Sequence, residues 1–314
     1  MPNSRTIPLN GIEMFLLEQG EGPLVLLCHG WPELSYSWRH QIPALAAAGF
    51  HVVAPDMRGF GRTSAPADIN AYSIFDTVGD MVALVAALGE QRAMVVGHDW
   101  GAPVAWHCAM FRPDIFTKVA GLSVPPPFRG RGRPLDLLRE AGVTDFYWQY
   151  FQNPGVAEAE FERDIDLTMR TVLGRGISVP SHLHIREGKG FLGNIEPNRP
   201  LPDWLSEADI AYFAAAYRKS GFRGGLNWYR NLDRNWELTA PWQGAQIHQP
   251  SLFVAGSNDS VITGLIGAKR VNELERVLPN LKQKLIVEGA GHWIQQERPD
   301  AVNGGLDCFP QMKA

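Results

Sequence analysis

The chain of 314 residues is 45% hydrophobic and 20% charged, with a net charge of −4; these ordinary globular values give no reason to expect nucleic acid or a membrane surface as a partner. Its length suits one large α/β domain with an insertion, or two small domains. No apolar h-region follows Met1-Pro2-Asn3-Ser4-Arg5, no apolar run reaches membrane-spanning length, and Cys28, Cys108 and Cys308 are odd in number and widely spaced, so the expectation is a cytoplasmic chain with reduced thiols.

Strand and helix signals alternate through the first 124 residues. Residues 5–18 predict antiparallel edge strands. Continuous apolar runs follow at 24–28, 51–54, 93–96 and 119–122. Such runs suit strands buried on both faces, and hence a mostly parallel sheet flanked by helices. Helices are predicted between them, over 36–48, 74–88 and 102–111. The alternation stops at Pro125-Pro126-Pro127 and the Arg/Gly run 129–133, which reads as a solvated loop. About 115 residues with helical periodicity follow, without a convincing strand. Strands resume at 251–255 and 284–287, each followed by a helix. The predicted organisation is an α/β core domain of 1–124 and 241–314, interrupted by a helical cap (lid) domain over 125–240.

Gly97-His98-Asp99-Trp100-Gly101 lies between a predicted strand and a predicted helix. It has the outline of a G-x-S-x-G nucleophile elbow, a sharp turn that lifts one side chain above the sheet, with Asp at the centre. A Ser there needs a base before it attacks. A carboxylate is already ionised at neutral pH and attacks an alkyl carbon directly, leaving an alkyl ester on the enzyme. Asp99 therefore points to displacement at saturated carbon, as in opening an epoxide or expelling a halide.

Three further segments complete the candidate site. Cys28-His29-Gly30-Trp31-Pro32-Glu33 follows the first strong strand, with Trp31-Pro32 a candidate cis bond. The backbone N–H groups of Trp31 and Trp100 are the candidate oxyanion hole. Asp259 follows the strand at 251–255, and His292 follows the strand at 284–287. Asn258 and Asp56 are alternatives to Asp259, but position after the strand favours Asp259. In this order Asp259 orients His292, and His292 deprotonates the water that breaks the ester. The remaining histidines are read as structural. His182-Leu183-His184 has no third ligand signal nearby, so neither a metal nor another cofactor is expected. The Asp56–Ser64 stretch contains Gly59 and Gly61 but no helix opens from it, so it is no dinucleotide fingerprint.

These stretches resemble the soluble epoxide hydrolases of the α/β-hydrolase fold superfamily: His29 to Glu33, 56–66, Gly97 to Gly101, and Gly291-His292-Trp293. The resemblance covers residues 10–305. It includes two segments of the cap, 147–158 and 221–231. It implies an α/β-hydrolase fold and an enzyme that turns an epoxide into a vicinal diol through an ester on Asp99. Tyr147 and Tyr229 would donate to the epoxide oxygen, with Tyr150 a nearby alternative to Tyr147. A phenol remains protonated at neutral pH, so the chemistry suits a developing alkoxide. Ala102 departs from the family pattern, where a second glycine is common, and so does Trp148, where Gln is frequent. Phe128, Trp148 and Trp228 are the expected substrate-binding aromatics, and the expected substrate is a small apolar epoxide. The alternatives are a haloalkane dehalogenase and a non-catalytic hydrolase-fold binding protein. A monomer or homodimer is expected, in a detoxification role.

Overall fold

The computed structural model describes residues 2–127, 129–175, 180–194 and 200–307. Strands β1 (Asn3–Leu9) and β2 (Ile12–Gln19) form an antiparallel hairpin at the sheet edge. The other strands are β3 (Leu24–Cys28), β4 (His51–Pro55), β5 (Ala93–His98), β6 (Phe116–Leu122), β7 (Ser251–Gly256) and β8 (Leu281–Val287). They complete one sheet in the order β1-β2-β4-β3-β5-β6-β7-β8, parallel from β4 to β8.

The continuous apolar runs follow from burial on both faces. In β3, Leu24, Leu26 and Cys28 join one apolar cluster, and Val25 and Leu27 join the other. The period of two along a strand assigns alternate residues to opposite faces, so a strand covered on both sides has no polar position. Helix α1 (Gln41–Ala47) packs on one face, and α2 (Ile74–Ala87) and α3 (Gly101–Phe111) pack on the other.

The helix expected over 36–48 is shorter than the periodicity implied. Ser35–Trp38 is a 3-10 turn and α1 begins only at Gln41. Pro43 lacks an N–H, and its ring excludes the carbonyl four residues back, so the helix cannot extend through Arg39.

Between β6 and β7 the described residues form seven α-helices: α4 (Pro134–Glu140), α5 (Tyr147–Tyr150), α6 (Val156–Glu162), α7 (Ile165–Arg175), α8 (Glu207–Ser220), α9 (Arg223–Arg230) and α10 (Leu232–Leu238). Isolated bridges join Phe146 to His184 and Arg186 to Gly190. Phe151, Phe161, Phe213 and Leu226 of this segment belong to the same apolar cluster as the α2–α3 face of the sheet. The chain closes with α11 (Ser260–Thr263), α12 (Leu265–Asn272), α13 (Leu274–Val277), α14 (Ile294–Glu297) and α15 (Pro299–Leu306). Among the described residues no helix is long and apolar enough to cross a membrane. Cys28 and Cys108 are buried free thiols, and Cys308 lies outside the described residues.

Candidate active site

The turn from β5 into α3 is as tight as the sequence implied. Asp99 stands there with φ +49°. The left-handed backbone is costly for a residue with a Cβ and is held by its surroundings. Two glycines make the turn possible. A Cβ on Gly97 would lie 1.9 Å from the carbonyl oxygen of Gly101, and one on Gly101 would lie 2.0 Å from that of Cys28. Neither position has room for a side chain.

The two oxygens of Asp99 have different partners. The Trp31 N–H donates to Oδ1 at 2.7 Å. Oδ2 faces Nε2 of His292 at 3.4 Å. On its other side His292 offers Nδ1 to both oxygens of Asp259, at 3.0 and 3.1 Å. Asp259 is itself fixed, because it caps α11 by accepting the Val261 N–H at 2.9 Å. Asp99, Asp259 and His292 thus converge from the ends of β5, β7 and β8, all three buried. Trp100 follows Asp99 as the N-cap of α3, and its indole lies edge-on to Tyr229.

Burial alone would disfavour the imidazolium of His292. Asp259 and Asp99, one on each side, override it and hold the His292 pKa well above the usual histidine range. Protonation of this ring therefore depends on the charge of Asp99.

The loop after β3 is anchored by His29. Its Nδ1 lies 2.8 Å from the Gly30 carbonyl, and its Nε2 accepts the Met57 N–H at 2.9 Å. Burial lowers the His29 pKa, in keeping with a ring that donates on one side and accepts on the other. The Trp31–Pro32 peptide bond is cis.

A buried network beneath the site was not legible from local sequence. Glu33 Oε2 lies 2.6 Å from Nδ1 of His98 and accepts the Gly30 N–H at 3.2 Å. Its Oε1 accepts Gln295 Nε2 at 2.8 Å and Gln296 Nε2 at 3.1 Å. The other ring nitrogen of His98 meets the backbone carbonyl of His292 at 2.7 Å, which also accepts the Ser123 hydroxyl at 2.8 Å. The His98 and Glu33 side chains therefore link the elbow, the loop after β3 and the loop that carries His292.

Burial opposes ionisation of Glu33, but His98 outweighs it and pulls the carboxyl down to about 2. A carboxyl whose folded pKa is depressed contributes stability that is present above its unfolded pKa and is lost as pH falls through the folded value. The shift from 4.5 to about 2 corresponds to roughly 3 kcal/mol. The melting temperature of the wild type is therefore expected to fall between pH 4.5 and 2 more steeply than that of Glu33→Gln. Parallel melting curves for the two proteins across that window would contradict this role.

Tyr147 on α5 and Tyr229 on α9 lie together, with ring centroids 5.7 Å apart, and both are buried. Tyr229 stands edge-on to Trp31 at 5.9 Å and to Trp100 at 5.1 Å. Burial first, and the Asp99 charge second for Tyr147, raise the pKa of that phenol; burial, Tyr147 and Asp99 raise that of Tyr229. Both phenols thus keep their protons at neutral pH. Tyr150 turns elsewhere: its hydroxyl donates to Glu160 Oε2 at 2.7 Å. That bond separates the two tyrosines left open by their spacing.

The aromatics expected at the substrate divide. Trp148 is half-buried beside Phe146 and Tyr147, at 5.3 and 6.2 Å. Trp228 is buried, and its indole N–H donates to the Arg58 carbonyl at 3.0 Å, so it ties α9 to the loop after β4. Its ring also reaches Trp100, at 6.0 Å. Phe128 lies outside the described residues. His184 pairs with Asp145 at 2.8 Å, and the side chain of His182 is not among those described.

Comparison with known proteins gives the family and the fold. A family model described as "alpha/beta hydrolase fold" matches residues 23–299. The chain is 42% identical to epoxide hydrolase A of Mycobacterium tuberculosis (strain ATCC 25618 / H37Rv), over 97% of this chain and 96% of that protein. It is also 42% identical to epoxide hydrolase 3 of Siraitia grosvenorii, again over 97% and 96%. The crystal structure of epoxide hydrolase A from Mycobacterium thermoresistibile superposes with a TM-score of 0.93 at 44% identity, covering 99% of this chain and 98% of the other.

Proposed function

The chain belongs to the epoxide hydrolases of the α/β-hydrolase fold, and we propose that it opens a small apolar epoxide through a covalent ester on Asp99. The observation that carries this reading is the division of labour between the carboxylate oxygens. Oδ1 is held by the Trp31 N–H, and Oδ2 faces His292, itself braced by Asp259.

In the first step Oδ2 attacks an epoxide carbon and the carbon–oxygen bond of the ring breaks. The ring oxygen takes a proton from Tyr147 or Tyr229, whose two phenols stabilise the developing charge better than one. In the second step His292 removes a proton from water, and the hydroxide attacks Cγ of Asp99. The tetrahedral oxyanion rests on the N–H groups of Trp31 and Trp100. The bond from Cγ to the alkyl-bearing oxygen breaks, the alkoxide takes the proton held on His292, and the acid proton left on Asp99 is given up as the phenolate takes one back, through solvent, which restores both the carboxylate and the phenol. The diol leaves with one oxygen that came from Asp99. The helices of 125–240 serve as the cap over the core of 1–124 and 241–314. Trp148 and Trp228 form part of the apolar wall around the substrate.

The tyrosines distinguish this reaction from halide displacement. Single Tyr147→Phe and Tyr229→Phe substitutions are expected to slow ring opening by roughly 10- to 1000-fold, about 1.4 to 4 kcal/mol, the scale of losing one oxyanion donor. The double substitution is expected to abolish it nearly completely. Phe preserves the ring contacts, and circular dichroism checks that the fold is retained. A site built for halide would release it from 1-haloalkanes faster than it makes diol and would be indifferent to both hydroxyls; the first result would favour the haloalkane dehalogenase, and wild-type epoxide hydrolysis in both Phe variants would refute the tyrosine assignment.

A further inference from the structure

The two tyrosines are carried by weak elements. Helix α5 is four residues long and α9 is eight. A single turn has little stability of its own, because nucleation is costly. The last carbonyls of any helix also lack partners within it. Each of these helices receives those partners from beside the other.

Gln152, just past the end of α5, points its amide nitrogen at two carbonyls. It donates to that of Trp148 at 2.7 Å and to that of Tyr229 at 3.1 Å. Both hydrogens of the amide are thus spent, one on each tyrosine-bearing helix. Arg230, which follows Tyr229, acts in the opposite direction. Its Nε donates to the Phe151 carbonyl at the end of α5, at 3.0 Å. Its guanidinium is kept in place by Asn227 Oδ1 at 2.9 Å and by Glu158 Oε1 at 2.7 Å. The Arg230–Glu158 pair is largely buried, and Glu158 also accepts the Gly155 N–H at the start of α6. A cation at a helix C-terminus complements the helix dipole as well.

We propose that Gln152 and Arg230 are positioning residues for ring opening. By capping each other's helices they set the spacing and aim of Tyr147 and Tyr229. They touch no reacting atom. The inference rests on the reading that those two phenols hold the epoxide oxygen.

The experiment compares Gln152→Met and Arg230→Lys, each alone and in a Tyr229→Phe background. Met keeps the length of Gln without its donors, and Lys keeps the charge that faces Glu158 while losing the Nε bond. Adduct formation and adduct hydrolysis are followed separately, in single turnovers, by intact-protein mass spectrometry. In the otherwise wild-type protein, ring opening is expected to slow about tenfold, the scale on which misaligned catalytic groups lose rate. Ester hydrolysis, which does not use the phenols as donors to an epoxide, should change less than twofold. In the Tyr229→Phe background the loss in ring opening should shrink to about twofold, because coupled residues are not additive. An equal loss in both backgrounds, or equal slowing of both steps, would mean that the pair supports only the fold and would overturn the proposal. So would unchanged ring opening. If Tyr229→Phe alone leaves ring opening intact, the tyrosine reading itself fails and the positioning role falls with it. Should one variant fail to give a native circular dichroism spectrum, the other carries the test.

Discussion

Replacing Asp99 with Ala is expected to lower diol formation by about 10^5-fold or more, the scale on which removing a nucleophile disables an enzyme. Nothing else at the site takes over the role. Asp259 is sequestered between His292 and the N-terminus of α11. Glu33 is enclosed by His98, Gln295 and Gln296. The fold should survive, because Asp99 sits at a turn framed by Gly97 and Gly101, and its loss removes one backbone bond, from Trp31. Steady-state diol assays across several epoxides check the rate, and circular dichroism checks the fold. Residual activity within 100-fold of wild type would show that water attacks the epoxide without Asp99.

Replacing His292 with Gln is expected to leave ring opening partly intact and to slow ester hydrolysis by roughly 10^2- to 10^4-fold, the usual contribution of a positioned base. The enzyme should then accumulate with a mass increased by that of the substrate. The electrostatics explain why one ring serves a two-step reaction. In the free enzyme both carboxylates favour the imidazolium. On the proposed route esterification would neutralise Asp99, so one of those charges would disappear as the base is needed, and the His292 pKa would fall. A base works only when deprotonated. Ester hydrolysis should therefore decline as pH drops, with its midpoint lower than the titration of His292 in the free enzyme. Hydrolysis rates by rapid quench, beside an NMR titration of the ring, check this; coincident midpoints would show that Asp99 does not control the base. A His292→Gln protein that turns over at near wild-type rate would direct attention to His107 or His248.

The chemistry of the loops was legible because it sits where the pattern changes. Asp99 and Asp259 each follow an apolar run that is buried on both faces of the sheet, and His292 follows the short apolar stretch that ends the edge strand β8, where alternate residues are exposed. Contacts between distant segments left no such trace. Nothing around Tyr150 announces that its hydroxyl is claimed by Glu160. Nothing local shows that Trp228 spends its N–H on Arg58, 170 positions away. Glu33 read as the end of a loop motif and His98 as a structural histidine. Only the convergence of three loops makes them one network. Helix α1 was expected to begin too early because the periodicity outweighed the one local signal against it, Pro43.

The most direct test of the covalent route is a single turnover with enzyme in excess over epoxide in oxygen-18 water. On the proposed route Oδ2 of Asp99 is the oxygen that bonds to carbon, and water enters at Cγ. The diol from that turnover should therefore be mostly unlabelled, and the label should appear in the peptide that contains Asp99. Fully labelled diol together with unlabelled protein would mean that water attacks the epoxide directly, and would contradict the ester on Asp99.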